Sequence, residues 1–283
     1  MSMVINTNVA SINSQRQLNA TNNVLKTSME RLSSGLRVNS AKDDAAGLAI
    51  GNAMNSQIRG MTVAVRNAND GISMAQTAEA GMGVITDTLQ RMRDLAVQAA
   101  NDGAVTGNDR EKLNAEYQQL SAELVRIVEN TEFNGKKILD GDLSGGVNFQ
   151  VGANTAANNQ ISVTVAGLKG AALASVTGTG GGAAITGTTA SNALAAITAI
   201  DNAIKTIDTS RAELGAIQNR FTTTIANLQS SIENQSAARS RIMDADFAAE
   251  TAALSRNQIL QQAGVAMLAQ ANQAPQTVLS LLR

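Results

Sequence analysis

From Ile58 onward the apolar side chains recur every third and fourth residue: Ile58, Met61, Val65, Ala68, Ile72 and Ala75. Met82 and Leu89 then continue one lane at intervals of seven. This is the seam of a coiled coil, and it predicts one helix from residue 41 to about residue 100, with no proline to break it. A helix of about 60 residues spans roughly 90 Å, several times the length of a helix in an ordinary globule. Ile85 and Met92 add a second apolar lane, so the helix is expected to meet more than one neighbour. Two further segments carry matching stripes. Leu113, Tyr117, Leu120, Leu124 and Ile127 repeat at four, three, four and three after the glycines of "ANDGAVTGND", which predict a reversal. Ile197, Ile200, Ile204, Ile207, Leu214, Phe221, Ile225, Leu228 and Ile232 share a seam interrupted at Arg211 and Gln218.

Only 2% of the 283 residues are aromatic, with no Trp, one Tyr and four Phe, so Ala, Leu, Ile, Val and Met must fill the interior. The expected fold is mainly α: an elongated antiparallel coiled-coil or helical-bundle rod built from residues 41–100, 109–129 and 191–240. A small β-hairpin region interrupts it. Asn-Gly and Asp-Gly in "EFNGKKILDGD" signal turns, and "VNFQV" and "QISVTV" alternate as strands. Residues 166–190 are rich in Gly, Ala and Thr and poor in apolar bulk, and are read as a flexible surface insert.

The ends differ from the middle. A helix over about residues 5–33 carries Ile5, Val9 and Ile12, then Leu18, Leu25, Met29 and Leu32, with a slip between the sets. Gly35 suits its C-terminal cap. Ser40 with Asp43 fits a capping pattern for the next helix, whose positive end Asp43 and Asp44 favour. Over 246–274, Phe247, Leu254 and Leu268 fall at multiples of seven, skipping Gln261, and Pro275 is expected to kink or end the helix before "QTVLSLLR". Stripes this narrow offer little to offset about 1 to 2 kcal/mol per ordered residue. The two terminal helices are therefore expected to order by pairing with each other and with neighbouring copies, as suits a polymer.

Twenty-two basic and 23 acidic residues leave a net charge of −1, which gives no electrostatic reason for nucleic acid or an anionic membrane as partner. With no His and no Cys, thiol and imidazole chemistry is excluded, along with nearly every zinc, copper or haem site. Asp43, Asp44, Asp244 and Asp246 read as caps and interface charges rather than an acid/base pair. "TGTGGG" lacks the strand, helix and Lys of a phosphate loop. No catalytic, cofactor or metal site is expected. The N-terminus has neither the basic nor the apolar region of a signal peptide.

Five stretches resemble bacterial flagellin: "ERLSSGLRVNSAKDDAAGLAI", "QRMRDLAVQAAN", "TEFNGKKIL", "ARSRIMDADFAAE" and "LAQANQAPQTVLSLLR". The resemblance covers both terminal thirds in the correct order. It implies a structural subunit that self-assembles into the flagellar filament used for motility, with a hook-filament junction protein of the same secretion system as the alternative. It further implies export without a cleaved signal peptide, unfolded, through the flagellar type III apparatus. The implied partners are further copies of the chain, an export chaperone, the filament cap, the junction protein and a host flagellin receptor.

On this reading residues 1–40 form the N-terminal helix of an inner-tube domain plus a spoke, 41–165 the first part of the rod, and 166–190 the insert. Residues 191–240 are the returning rod helix, and 241–283 the second spoke and C-terminal helix. The expected assembly residues are Ile5, Val9, Ile12, Leu25, Met29, Leu32, Phe247, Leu254, Leu268, Leu281 and Leu282. Arg91, Leu95 and Glu116 match the family's receptor-contact positions; on the residues alone Arg91 reads as a solvated charge, Leu95 as a minor seam residue and Glu116 as an exposed carboxylate. Ser175, Thr177, Thr179, Thr186, Thr188 and Thr189 are candidates for O-glycans or simply polar surface.

Overall fold

The computed structural model describes residues 7–171, 173–177, 184–187 and 189–280. Their order is α1 (Val9–Ser34), α2 (Ala45–Ala99), α3 (Gly107–Asn130), β1 (Glu132–Phe133), β2 (Lys136–Lys137), β3 (Val147–Gln150), β4 (Gln160–Val163), α4 (Leu168–Ala171), α5 (Ala174–Thr177), α6 (Ser191–Met243) and α7 (Phe247–Ser280). The chain divides into two compact units, one from its two ends up to Gln57 and from Glu233, the other Ile58–Ile232.

In the Ile58–Ile232 unit, α2 buries two lanes spaced by seven: Met61, Ala68, Ala75, Met82, Leu89 and Ala96, and Ala64, Ala78, Ile85, Met92 and Ala99. Ile58, Val65 and Ile72, expected in the seam, are half-buried at its edge. The buried positions go instead to small residues of the second lane, Ala64 and Ala78, with Gly71 set against the Phe221 ring of α6. α6 answers with Ile200, Ile207, Leu214, Phe221 and Leu228, again at sevens. The helices run antiparallel: Arg93 Nε donates to Asp201 Oδ1 at 2.7 Å, and the earlier Glu79 meets the later Gln218. Both interruptions of the α6 seam meet one carboxylate: Gln218 Nε2 donates to Glu79 Oε2 at 3.0 Å, and Arg211 Nη2 stands 4.0 Å from Glu79 Oε1.

Thr106 and Asp109 cap α3 reciprocally, and the Thr106 hydroxyl holds the Asp109 carboxyl below the usual carboxylate range. α3 buries Tyr117, Leu124 and Val128. Arg110, 2% exposed, donates from Nε to the Ala99 carbonyl at 2.8 Å, from Nη1 to Gly187 O at 3.3 Å, and from Nη2 to Asp102. It therefore fastens the end of α2 to the approach to α6. In the β1–β2 turn Asn134 and Gly135 both take positive φ, 50° and 75°, as a tight two-residue hairpin demands. β3 and β4 pair antiparallel, Val147 opposite Val163 and Gln150 opposite Gln160, with Ile161 and Val163 turned inward.

The insert departs from expectation. Leu168, Leu173, Val176 and Ile185 are at most 1% exposed and belong to the main core. Tyr117 Oη donates to Val176 O, Ser121 Oγ to Thr177 O, and the Ile185 amide to Asn114 Oδ1. These described residues cover α3 rather than forming a flexible surface. Four aliphatic side chains suffice because a core is already there to receive them.

Candidate assembly surface

The unit made from the chain ends is built on α1 and α7, which pair antiparallel. Asn8 meets Ala271, Gln261 Nε2 donates to Asn22 Oδ1 at 2.9 Å, and Arg31 Nη1 lies 3.9 Å from Glu250 Oε2. Asn8 caps α1 by accepting from the Ser11 amide at 3.0 Å. α1 thus begins at Val9, four residues later than expected.

Where α1 ends, Gly35 adopts φ 71°, and its amide bonds Arg31 O at 2.8 Å. The chain then leaves the helix as a short extended step. Leu36 bridges Asp244, Ala245 N donates to Gly35 O at 2.9 Å, and Arg37 N donates to Met243 O at 2.7 Å. Val38 is 2% exposed. Residues 40–43 form a turn instead of the first turn of α2: Asp43 Oδ2 accepts from the Ser40 amide and hydroxyl, both at 2.9 Å. Those bonds, the hydroxyl first, hold the Asp43 carboxyl below its ordinary range. Asp44 supplies the cap, accepting from Gly47 N at 2.8 Å, and Asp246 does the same for α7 through the amides of Ala248 and Ala249. Asp44 and Asp246 thus act as caps, whereas Asp43, expected with Ser40 to cap the helix, closes the turn before it. Among the described residues no cluster suits a metal ion.

The α1–α7 seam is polar for a helix pair. The buried residues of α1 are Ser11, Thr21, Leu25 and Ser28. On α7, Glu250, Leu254, Asn257, Gln261, Gly264, Leu268 and Ala271 are half-buried in steps of four and three, and no described side chain of α7 is fully buried. Meanwhile large apolar side chains stand in solvent. Val9 (69% exposed), Ile12, Val24 and Met29 do so on α1, and Phe247 (55%), Ile259 (67%), Leu260, Val265 and Met267 on α7. On α7 these point in several directions around the axis rather than forming one apolar face.

The expected assembly residues therefore fall into two groups. Val9, Ile12, Met29 and Phe247 are exposed, whereas Leu25 is buried and Leu32, Leu254 and Leu268 are half-buried along the intrachain seam. Ile5, Leu281 and Leu282 lie outside the described residues. Val24, Ile259, Leu260, Val265 and Met267 escaped the sequence reading because it followed one lane per helix; counting apolar residues around the whole wheel of α7 would have found them. α7 also continues through Pro275 instead of ending there. The carbonyl that proline leaves without an amide partner, four residues earlier, is that of Ala271, and Asn8 Nδ2 donates to it at 2.7 Å.

In the other unit, Arg91 is paired rather than simply solvated: its Nη2 lies 2.6 Å from Glu116 Oε1, and both side chains are about half exposed. Leu95, read as a minor seam residue, is 2% exposed and part of the core. Of the hydroxyl candidates, Ser175 and Thr189 are exposed and Thr177 and Thr186 half-buried; Thr179 and Thr188 lie outside the described residues. No described helix is long and apolar enough to cross a membrane.

Comparison with known proteins matches residues 5–144 to the bacterial flagellin N-terminal helical region and residues 197–282 to the bacterial flagellin C-terminal helical region. A flagellin of Halalkalibacterium halodurans is 47% identical over 281 residues, covering 99% of this chain and 100% of that protein. A flagellin of Bacillus subtilis is 44% identical over 309 residues, with 99% and 100% covered. A solved structure assigned as a flagellar hook-associated protein, from Vibrio parahaemolyticus, shares the fold, with a TM-score of 0.57 at 12% identity over 71% of this chain and 100% of that one.

Proposed function

The chain belongs to the bacterial flagellin family, a family of structural filament subunits, and we propose that it polymerises by surrounding each α1–α7 pair with the pairs of neighbouring copies. One observation carries this reading: α7 is a long helix with no fully buried described side chain, yet it is apolar around its circumference. Burying a large aliphatic side chain supplies about 1.5 to 3 kcal/mol relative to exposure, and in a polymer that contribution recurs in every subunit. The polar intrachain seam supports a pair that orders fully only on assembly. The short step from Gly35 to Val38 against 243–245 serves as the junction at which the chain changes layer.

Family membership supports export through the flagellar type III apparatus and residence in the extracellular filament. It also supports an export chaperone, the filament cap and the junction protein as partners. The exposed Arg91–Glu116 pair is the part of the receptor-contact set available on the surface of the subunit; the buried Leu95 side chain is not. Among the described candidates, Ser175 and Thr189 are the hydroxyls best placed for a glycan.

Ile259→Asp tests the assembly surface. Ile259 lies away from α1, so the variant monomer should keep its helix content and melting transition while failing to extend filament seeds. Normal seeded growth would remove the circumference of α7 from the interface.

A further inference from the structure

We propose that the outward lane of α2 is a self-complementary docking face, on which a second copy of this chain lies antiparallel. The lane holds Arg59, Arg66, Ser73, Ala80, Asp87 and Asp94, one residue every seven. All six are exposed and all lie in the Ile58–Ile232 unit. It is the heptad position most remote from the buried lanes of Met61 and Ala64, so the supercoil carries it continuously along the outside.

Two basic residues mark one end, two acidic residues the other, and small side chains the centre. None of the four charged groups has an ion-pair partner within 4.0 Å among the described residues, whereas nearby Arg91 and Arg93 are neutralised by Glu116 and Asp201. On one flank Thr62, Asn69, Gln76 and Gln90 are uncharged, and on the other Asp70 and the paired Arg91 are the charged positions, so the lane carries most of the unpaired charge of this face.

An antiparallel copy related by a two-fold axis between residues 76 and 77 brings every member to its complement. Arg59 then faces Asp94 of the second copy, Arg66 faces Asp87, and Ser73 faces Ala80; the symmetry repeats each pair, giving four opposite-charge contacts in one register. Asp70, the remaining unpaired charge on this side, falls opposite Gly83, so no like charges oppose each other. The small central residues permit close approach, and the lane from 59 to 94 extends roughly 52 Å at about 1.5 Å per residue. This association is distinct from filament growth through the terminal helices. Because its contacts are exposed ion pairs, it forms a weak dimer controlled by salt.

The test is sedimentation of the full chain, unseeded, at about 0.01 M and about 1 M salt, where the screening length falls from roughly 30 Å to 3 Å. A dimer at low salt that dissociates at high salt is expected. Arg59→Asp with Arg66→Asp should abolish it, as should Asp87→Arg with Asp94→Arg, while an equimolar mixture of the two double variants should associate again. The chain has no Cys, so register can be read by oxidation: Ser73→Cys mixed with Ala80→Cys should form a cross-linked dimer, and Ser73→Cys alone should not. A monomer at both salts, or double variants that dimerise like the parent, overturns the proposal. So does loss of seeded growth in these variants with dimerisation intact, which would make the lane a filament contact.

Discussion

Asn8 donates its side-chain amide to the carbonyl of Ala271 at 2.7 Å, the carbonyl that Pro275 cannot satisfy from within α7. One side chain at the start of α1 thus caps its own helix and repairs a proline break in the other. Asn8→Ala should loosen the helix pair by about 0.5 to 2 kcal/mol from the lost cap and about 0.5 to 1.5 kcal/mol from the lost bridge. Pro275→Ala restores a backbone donor, so the cost of Asn8→Ala should be smaller in that background. A double-mutant cycle on amide exchange in assembled filaments measures the coupling; strict additivity would disprove the relationship.

Gly71 and Phe221 form a second such contact. A β-carbon on Gly71 would stand 2.6 Å from Cζ of Phe221, a ring that is fully buried and packed edge-on against Phe149 at 5.7 Å. Gly83 and Gly215 have nothing within 4 Å of such an atom. Gly83→Ala and Gly215→Ala should each raise unfolding stability by about 0.8 to 1 kcal/mol through helix propensity. Gly71→Val should lower it, since overpacking costs about 1 to 3 kcal/mol and exceeds any helix gain. Chemical denaturation of the three variants checks the order.

Tyr117 is the only tyrosine and there is no tryptophan, so phenol ionisation can be followed without interference. Burial pushes its pKa up to about 12, against about 10 for a free phenol. The folded state therefore holds the proton more tightly. The stabilisation is fully present below about pH 10 and is lost as pH rises toward the folded value, at about 1.4 kcal/mol per pH unit. Ultraviolet titration should show one late transition coinciding with loss of helix. Ionisation near pH 10 with helix intact would contradict the burial.

Leu173 and Val176 seal α3 from the side of the insert. Leu173→Ala should cost about 2 to 5 kcal/mol, as for other buried leucines. Deleting residues 168–189 should lower the melting temperature substantially rather than leave the fold untouched. An unchanged transition in both variants would return this segment to the surface.

The heptad spacing by itself determined α2, α3 and α6, because which side of a helix is apolar depends only on residues three and four apart. Turn chemistry was equally local: Asn134 with Gly135 and the glycine at 35 could be placed from residue type, since few others accept positive φ. The missing His and Cys settled what chemistry the chain could not do. Other features depended on packing between distant segments. Leu168, Leu173, Val176 and Ile185 have no period of their own and gained meaning only from the core that receives them. Arg211 and Gln218 looked like flaws in a seam until Glu79, on another helix, was brought between them. Arg110, in the first turn of α3, is buried because Ala99, Asp102 and Gly187 from outside that helix converge on it. The same holds for α7, whose apolar residues could be read in sequence; which of them α1 covers and which remain open was decided by the register that Asn8, Asn22 and Arg31 impose across the pair.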